Sequence, residues 1–356
     1  MKKTHIVLLA GFLVLALFGV GGILLWYALS QPMYQPGMVR AMTSLAPPAQ
    51  AAGEDMWAVE PGIRLYHFSQ GAGRNVLVVH GGPGFPIHGP LPGFEPLASR
   101  YQFHFYDQRG CGRSTRPIDR FQSSNFYENV KTLDKALGLG AQVADIERIR
   151  RILGDDQLII VGHSFGAFLA TLYAAEFPER VKAMILVGPA DLLLFPPSTD
   201  FFAEIRALLP ESRRAAYADF LKRYMEFGDI FTKSDEQLRA LSTEFMKYYA
   251  EASQAKKAPV PPESLFGDNG GWMPFGMYLS MGRRHDCRQA VRAVQAPVLV
   301  VHGENDLQPE PSSRSVASAF ARSQVAVMRN TGHFPFYDQA AEFAAVAGKF
   351  LDELPK

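Results

Sequence analysis

The stretch Leu158–Ala175, LIIVGHSFGAFLATLYAA, is the part of the sequence that decides the fold. Its apolar run Leu158–Val161 is typical of a buried strand, and the apolar residues after the glycines recur with the spacing of a helix. The residues between them, GHSFG, match G-x-S-x-G, in which a sharp strand-to-helix turn exposes the serine hydroxyl. Glycines are needed there because side chains would collide with the neighbouring strand and helix. Ser164 is therefore a candidate nucleophile; alternatively, it only caps the helix.

Strand and helix patterns alternate on both sides of this stretch. The predicted strands, the first two forming a hairpin, are Trp57–Glu60, Ile63–Phe68, Asn75–Val79, Tyr101–Tyr106, Ala183–Val187, Pro297–Val301 and Gln324–Met328. Helices are predicted around 143–152, before the central strand, and at Ala340–Leu351. This alternation predicts an α/β fold with a mostly parallel sheet and helices on both faces. Residues 55–190 and 287–356 would form its two parts.

The alternation stops between residues 191 and 286. Helical patterns at Phe201–Leu209, Arg213–Phe227 and Asp235–Ala252 precede a stretch rich in Pro and Gly, 258–276, and no strand is evident. We interpret 191–286 as a helical cap over the carboxyl edge of the sheet. Ligands bind at that edge in open α/β sheets, so a cap there would shape the pocket and exclude water.

A serine needs a base to remove its proton and a carboxylate to orient that base. The acid and then the base follow the serine in chains that use this turn. Asp306 follows the strand that ends at Val301 and is the predicted acid, with Glu304 as its competitor. His333 follows the last strand and is the predicted base. The remaining strand-end histidines, His80, His163 and His302, are predicted to be structural.

Acyl transfer also needs hydrogen-bond donors aimed at the oxyanion. The backbone N–H of Phe165, directly after the serine, is one candidate donor. The second is predicted at Gly82, in the glycine-rich loop after the strand that ends at Val79.

The N-terminus carries a long apolar segment. Lysines at positions 2 and 3 precede Ile6–Leu29, which has no charged residue and could cross a bilayer of roughly 30 Å as one helix. Trp26 and Tyr27 would anchor its far end, and the charge bias predicts a cytoplasmic N-terminus with the catalytic domain outside. A signal peptide cleaved near Ala28–Ser30 is the alternative to an anchor at 1–30. Residues 31–54, rich in Pro, Ala and Gln, are predicted to be a linker.

Composition narrows the class of protein. The chain has 356 residues, 47% of them hydrophobic, so it can bury a sizeable core. A net charge of +1 gives no field that favours nucleic acid. Cys111 and Cys287 are predicted to be free thiols, and no metal-binding pattern is present, so we expect no metal.

Several motifs together resemble one known family. The segments 80–84 (HGGPG), 107–114 (DQRGCGRS) and 144–147 (ADIE), with the Asp306 and His333 loops, resemble the proline iminopeptidase (prolyl aminopeptidase) group of α/β-hydrolases over about residues 57–351. The resemblance implies an α/β-hydrolase fold with a cap, Ser164, Asp306 and His333 as the triad, and Gly82 and Phe165 as the oxyanion hole. It also implies that Asp107 and Arg109 stabilise loops.

In this family, carboxylates of the cap bind the free amine of an N-terminal residue, usually proline. Members usually carry tryptophan after the serine and a W-x-x-W-E pattern in the cap; this chain has Phe165 and, at the comparable place, FMKYY at 245–249. Glu226, Glu244 and Glu251 are the candidate amine ligands. Their alternative role is on solvated faces of cap helices.

The predicted function is that of a serine hydrolase that forms an acyl-enzyme without any cofactor. We expect an aminopeptidase that releases N-terminal proline or small residues from short peptides. The alternative is a carboxylesterase or lipase-like enzyme for small acyl esters. An epoxide hydrolase or dehalogenase is disfavoured because those enzymes place a carboxylate at the position of Ser164, and a non-catalytic binding protein would be expected to have a broken triad.

Overall fold

The computed structural model describes residues 31–41 and 44–354. Its main sheet has eight strands in the order β1-β2-β4-β3-β5-β6-β9-β10. The strands, with the short β7 and β8 outside this sheet, are β1 Met56–Glu60, β2 Ile63–Gly71, β3 Arg74–Val79, β4 Tyr101–Tyr106, β5 Leu158–His163, β6 Val181–Val187, β7 Leu194–Phe195, β8 His285–Asp286, β9 Val298–Gly303 and β10 Ser323–Met328. Strand β2 is antiparallel to β1 and β4, and all other neighbours are parallel. The predicted mostly parallel sheet is confirmed.

The helices largely follow the predicted positions. They are α1 Phe126–Leu137, α2 Leu139–Leu153, α3 Phe165–Glu176, α4 Phe201–Leu208, α5 Glu211–Tyr224, α6 Asp235–Ala255, α7 Trp272–Met281, α8 Arg288–Val291, α9 Glu310–Ser318, α10 Pro335–Asp338 and α11 Ala340–Asp352. Short 3₁₀ turns lie at Pro92–Leu97, Pro178–Arg180, Ile230–Thr232 and Glu263–Leu265. The sequence did not predict α1, whose buried side chains are few, or α7, which begins inside the stretch rich in Pro and Gly. It also did not predict the shorter helices α8, α9 and α10.

Strand β5 occupies the centre of the sheet. It lies between β3 and β6, and all its residues are buried. A strand buried on both faces needs no polar alternation, which explains its continuous apolar run. Because β3 and β5 are parallel neighbours, their carboxyl ends meet at one edge, and the loops after them lie side by side.

The cap is closed at its base by a small second sheet. Strand β7 pairs antiparallel with β8. This pairing joins the beginning and the end of the inserted segment. Each strand has only two residues, too short for a pattern in the sequence, so the prediction of no strand in 191–286 was wrong at this point.

Residues 31–41, hereafter the strap, differ from the linker predicted for 31–54. Tyr34 and Val39 are buried in the core. The carboxylate of Glu176, in α3, accepts hydrogen bonds from Tyr34 Oη (3.0 Å), the Gly37 N–H (2.6 Å) and the Arg40 N–H (2.8 Å). A buried carboxylate needs such donors. The strap is therefore fixed to the domain, which composition alone did not indicate.

The predicted membrane anchor at 1–30 lies outside the described residues. Within 31–41 and 44–354, none of the helices combines the length and the apolar character needed to span a bilayer. Cys111 and Cys287 are both buried free thiols, as the sequence predicts.

Candidate active site

The turn after β5 has the strained geometry of a nucleophile elbow. Ser164 has φ 55° and ψ −120°, a conformation that few non-glycine residues adopt. A Cβ on Gly162 would lie 2.6 Å from Ala167 Cα, and one on Gly166 would lie 2.2 Å from the Val79 carbonyl oxygen. Both glycines are therefore required sterically, as the motif predicts.

His333 and Asp306 come together beside this turn. The Nδ1 atom of His333 donates to Asp306 Oδ2 at 2.8 Å, and both side chains are buried. The other carboxylate oxygen of Asp306 accepts from the Gln308 N–H at 2.9 Å. Glu304, the competing acid, is exposed and accepts from the Asn330 N–H instead. The structure thus pairs His333, the predicted base, with Asp306.

Gly188 packs against this pair. It follows β6 with φ +50°, and a Cβ there would lie 2.9 Å from His333 Nδ1 and 3.0 Å from Asp306 Oδ2. The absence of a side chain at this position leaves room for the imidazole and the carboxylate.

The glycine-rich loop after β3 faces the serine. A Cβ on Gly81 would lie 2.7 Å from Ser164 Cβ, so this backbone approaches the nucleophile as closely as possible. Gly82 has φ +118°, a conformation that favours glycine. Gly82 and Phe165, the two predicted oxyanion donors, line the same cavity as Ser164 and His333.

Buried ion pairs hold the next loop, after β4. Arg109 donates to both oxygens of Asp145 at 2.6 Å and to Glu60 at 2.8 Å. Asp107 accepts from the Arg113 N–H at 2.7 Å and pairs with His88. These contacts place Asp107 and Arg109 in the loop scaffold that the resemblance implies for them.

The other strand-end histidines bind backbone or side-chain partners. His80 contacts the Gly81 carbonyl oxygen and the Gln108 N–H, and His302 Nδ1 contacts Ser313 Oγ at 3.0 Å. His163 differs because its Nε2 lies 2.8 Å from the carbonyl oxygen of His333. Burial, together with the neighbouring His333, lowers the pKa of the His163 ring well below its ordinary value, so the ring is neutral. Nothing in the sequence pattern indicated this contact.

A lysine of the cap reaches the acid loop. Lys256, just after α6, donates from Nζ to the backbone carbonyl of Asp306 at 2.5 Å. The next residue but one, Ala258, packs against Gly332. The end of this cap helix therefore touches the loops of both the acid and the base.

A cavity of about 1140 Å³ opens above Ser164. Its lining is mainly aromatic and aliphatic and comes from both the core and the cap. The aromatic residues of this lining include Phe85, Phe201, Phe202, Tyr224, Phe227, Phe245, Tyr249, Phe266, Tyr278 and Phe334. The cavity can therefore enclose a large apolar group next to the serine.

The three cap glutamates predicted as candidate amine ligands lie outside the cavity lining, which agrees with the solvated positions that the sequence analysis gave as their alternative. Glu244 forms a two-point ion pair with Arg223 (2.6 and 3.1 Å), and Glu251 pairs with Arg213 at 3.0 Å. Glu226 is exposed and accepts from the Gly228 N–H. None of the three lines the cavity. Glu244 and Glu251 lie on α6, and Glu226 lies in the loop after α5.

Two other carboxylates do line the cavity. Asp200 caps α4 and accepts from the N–H groups of Phe202 and Ala203. Asp191 accepts from Ser315 Oγ at 3.1 Å, and burial raises its pKa. Asp191 follows Ala190, whose N–H donates to the Ser164 carbonyl at 3.2 Å, so Asp191 is next in the chain to a residue that contacts the backbone of Ser164.

Within residues 31–41 and 44–354, no group of three or more His, Cys, Asp or Glu side chains could hold a metal ion.

Comparison with known proteins identifies the class. The profile of the α/β hydrolase fold family matches residues 74–340, and the chain belongs to that family. Within the family the chain is similar to proline iminopeptidases. That of Saccharolobus solfataricus is 26% identical over 309 residues, which cover 82% of this chain and 90% of the relative.

Two further similarities extend this finding. The 2-hydroxymuconate semialdehyde hydrolase of Pseudomonas sp. (strain CF600) is 28% identical over 298 residues, covering 83% of this chain and 93% of that protein. The crystal structure of the Mycobacterium smegmatis proline iminopeptidase superposes with a TM-score of 0.55 at 18% identity, covering 82% of this chain and 95% of that one. The protein is thus an α/β hydrolase that is similar to the proline iminopeptidases, as its motifs predict.

Proposed function

We propose that the protein is a serine hydrolase with Ser164 as nucleophile, His333 as base and Asp306 as the group that orients the base. Ser164 Oγ forms a bond to the substrate carbonyl carbon while His333 takes its proton. The N–H groups of Gly82 and Phe165 stabilise the oxyanion. The leaving group departs with the proton from His333, and water then cleaves the acyl-enzyme by the same steps. The hydrogen bond between His333 and Asp306 beside the strained Ser164 supports these roles.

Fluorophosphonate labelling tests this mechanism. The wild type should be labelled and Ser164→Ala should not. Asp306→Asn should lower kcat by about 10⁴-fold because the imidazole loses the partner that fixes its tautomer. Glu304→Gln is the matched control and should retain full activity. Full activity of Asp306→Asn, or a loss in Glu304→Gln instead, would contradict the assignment.

The cavity supports a substrate with an apolar, uncharged acyl group, joined through an ester or amide. Aromatic side chains surround the space above Ser164, and the three cap glutamates that could have bound a charged amine lie outside the lining. An ammonium buried there would need one of the two carboxylates of the lining, Asp191 or Asp200, as its partner, whereas an acyl chain gains about 0.8 kcal/mol per CH₂ buried. Acyl-ester hydrolysis, the alternative in the sequence analysis, is therefore the function that the geometry supports best.

Release of an N-terminal residue from a peptide is the second candidate, supported by the similarity to proline iminopeptidases. It requires a carboxylate near the serine, and Asp191 is the one we propose. Burial raises its pKa despite the nearby charge of Arg288, and an incoming ammonium would favour the charged carboxylate.

A substrate panel separates the two candidates. The enzyme is tested with p-nitrophenyl butyrate and laurate beside the p-nitroanilides of Pro, Ala and N-acetyl-Pro, with Ser164→Ala as the control. Preferential ester turnover supports the acyl hydrolase. Cleavage of Pro-p-nitroanilide with refusal of the acetylated form, lost in Asp191→Asn but kept in Glu251→Gln, would establish the aminopeptidase.

We also propose that Ile6–Leu29 anchors the enzyme in a membrane, with the N-terminus cytoplasmic and the catalytic domain outside. The support is the uncharged length of this segment and the lysines before it. Retention of residues 6–29 in membrane-extracted protein, read by N-terminal sequencing, would support the anchor; a mature protein that begins near Gln31 would replace it with a cleaved signal peptide.

A further inference from the structure

The strap connects the active-site cavity to the apolar N-terminal segment. Gln31, Pro32 and Met33 line the cavity above Ser164. The Met33 N–H donates to the carbonyl of Ser280 at 2.9 Å, near the end of α7. A Cβ on Gly282 would lie 2.6 Å from the Gln31 carbonyl oxygen, so only glycine lets the strap lie this close. The first residues of the strap are thus part of the cavity wall.

The strap is bound to the domain by a buried carboxylate. Glu176 holds it through the three hydrogen bonds from Tyr34, Gly37 and Arg40. The apolar segment ends at Leu29, two residues before Gln31. Two residues of extended chain span at most about 7 Å. If residues 6–29 lie in a bilayer, the wall of the cavity lies within a few ångströms of its surface.

Several exposed apolar side chains form the rim of the cavity. Among the described residues, the structure has six large hydrophobic side chains that are strongly exposed, and three of them line this cavity: Phe126, Tyr127 and Met225. Tyr127 is 60% exposed and Phe126 47%. A fourth, Met38, lies in the strap. Exposed apolar side chains clustered around an opening are typical of a surface that contacts lipid or another protein.

We propose that this rim docks on the lipid bilayer and that the cavity takes its substrate, an amphiphile with an apolar acyl chain, from the membrane. The proposal rests on the proposed acyl hydrolase and on its anchor at 6–29. A bilayer is favoured over a protein partner because the strap, which begins two residues after the segment that would enter the membrane, lines the same cavity as the rim. The acyl chain then passes from lipid to the aromatic lining without crossing water.

Lipid contact is measured on the full-length protein in vesicles of phosphatidylcholine and phosphatidylglycerol that contain doxyl-labelled lipid. The fluorophore NBD is attached to Tyr127→Cys at the rim or to Val327→Cys, an exposed hydrophobic position on β10, as the matched control. The native cysteines are buried, and unsubstituted protein gives the labelling background. We expect a blue shift and quenching at 127 and neither at 327.

The outcomes separate the parts of the proposal. Protein that floats with vesicles but shows no quenching at 127 overturns the docking while leaving the anchor intact. Protein that does not float with the vesicles has no membrane anchor, and because the docking proposal rests on that anchor, this result overturns the proposal. A blue shift at 127 without quenching means that protein, either residues 6–29 or a second copy, covers the rim, and this also overturns it. Fluorophosphonate labelling of Ser164 reports separately on the proposed function.

Activity gives a second measurement. The double variant Phe126→Ser/Tyr127→Ser is compared with wild type on p-nitrophenyl laurate carried in vesicles and on p-nitrophenyl butyrate in solution. The ratio of the two rates should fall about tenfold, which is the effect of losing one well-buried apolar contact with lipid. Val327→Ser should leave the ratio unchanged. An unchanged ratio in the double variant would overturn the proposal.

Discussion

The Nε2 atom of His163 lies 2.8 Å from the carbonyl oxygen of His333. The ring of a residue in the nucleophile elbow therefore holds the backbone of the candidate base. The two imidazoles lie 4.7 Å apart, and Phe334 and Phe336 pack on the His163 ring. Because the pKa of His163 is lowered by burial, this ring stays neutral and its Nε2–H is the donor.

His163→Phe should therefore lower kcat about tenfold with little change in KM. The phenyl ring keeps the packing but leaves the buried carbonyl of His333 without its donor, which costs about 1–3 kcal/mol. His163→Gln, which can still donate, should recover part of the rate. Steady-state kinetics of the three proteins test this; equal kcat values would show that the contact does not position the base.

Lys256→Met should lower kcat about tenfold because the Asp306 backbone loses a charged hydrogen-bond donor from the cap. Lys256→Arg should retain most of the activity. The control is Lys257→Met, at the exposed neighbouring residue. A similar loss of kcat in both methionine variants would show that removing a positive charge at this end of the cap, and not the contact with Asp306, lowers the rate.

Gly188→Ala should lower kcat about 10²-fold because its methyl group would displace the imidazole and carboxylate of the triad. Gly154→Ala is the matched control, since Gly154 also has a positive φ (+75°) but no atom within 4 Å of its added Cβ. Both variants should lose stability through backbone strain, and only Gly188→Ala should lose activity. Comparable kcat values in the two variants would contradict this.

Asp338→Asn should stabilise the protein at about pH 8 and not at about pH 4. Burial raises the pKa of Asp338 to about 6, although its side chain accepts from the Gly332 N–H. Between about pH 4 and 6 the folded state binds this proton more tightly than the unfolded chain, so the contribution of Asp338 to stability falls as pH rises. Above about pH 6 the charged carboxylate of Asp338 lowers the free energy of unfolding by a constant amount. The neutral amide of Asp338→Asn removes this cost.

Because Asp338 is only half-buried, the gain should be on the order of 1 kcal/mol. Urea unfolding of wild type, Asp338→Asn and the exposed control Glu342→Gln measures it at both pH values. If Asp338→Asn raised the free energy of unfolding equally at about pH 4 and about pH 8, the titration of Asp338 would be excluded as the cause.

The sequence by itself determined the sheet, the elbow and the order of the triad candidates. Each depends on a local pattern. The apolar run at β5 needs burial on both faces, and the G-x-S-x-G spacing is a recognisable motif because a Cβ on Gly162 would collide with the turn itself and one on Gly166 with the neighbouring strand β3. The loops after β9 and β10 carry Asp306 and His333 to the same edge because parallel neighbouring strands end together.

Only the tertiary structure decided which carboxylate meets the base. Asp306 and Glu304 lie two residues apart in one loop, and both follow β9. The turn buries Asp306 against His333 and directs Glu304 to the backbone of Asn330. No periodicity distinguishes two such neighbours, because the direction of each side chain depends on the backbone angles of the turn.

The cavity and the strap were likewise set by packing over long distances in the chain. The sequence predicts cap helices, but the direction of Glu244 and Glu251 depends on how α6 rotates against α5, where Arg223 and Arg213 pair with them. The strap has no regular pattern, and its position follows from the buried carboxylate of Glu176, 136 or more residues away in the chain. Contacts of this kind exist only once the chain has folded.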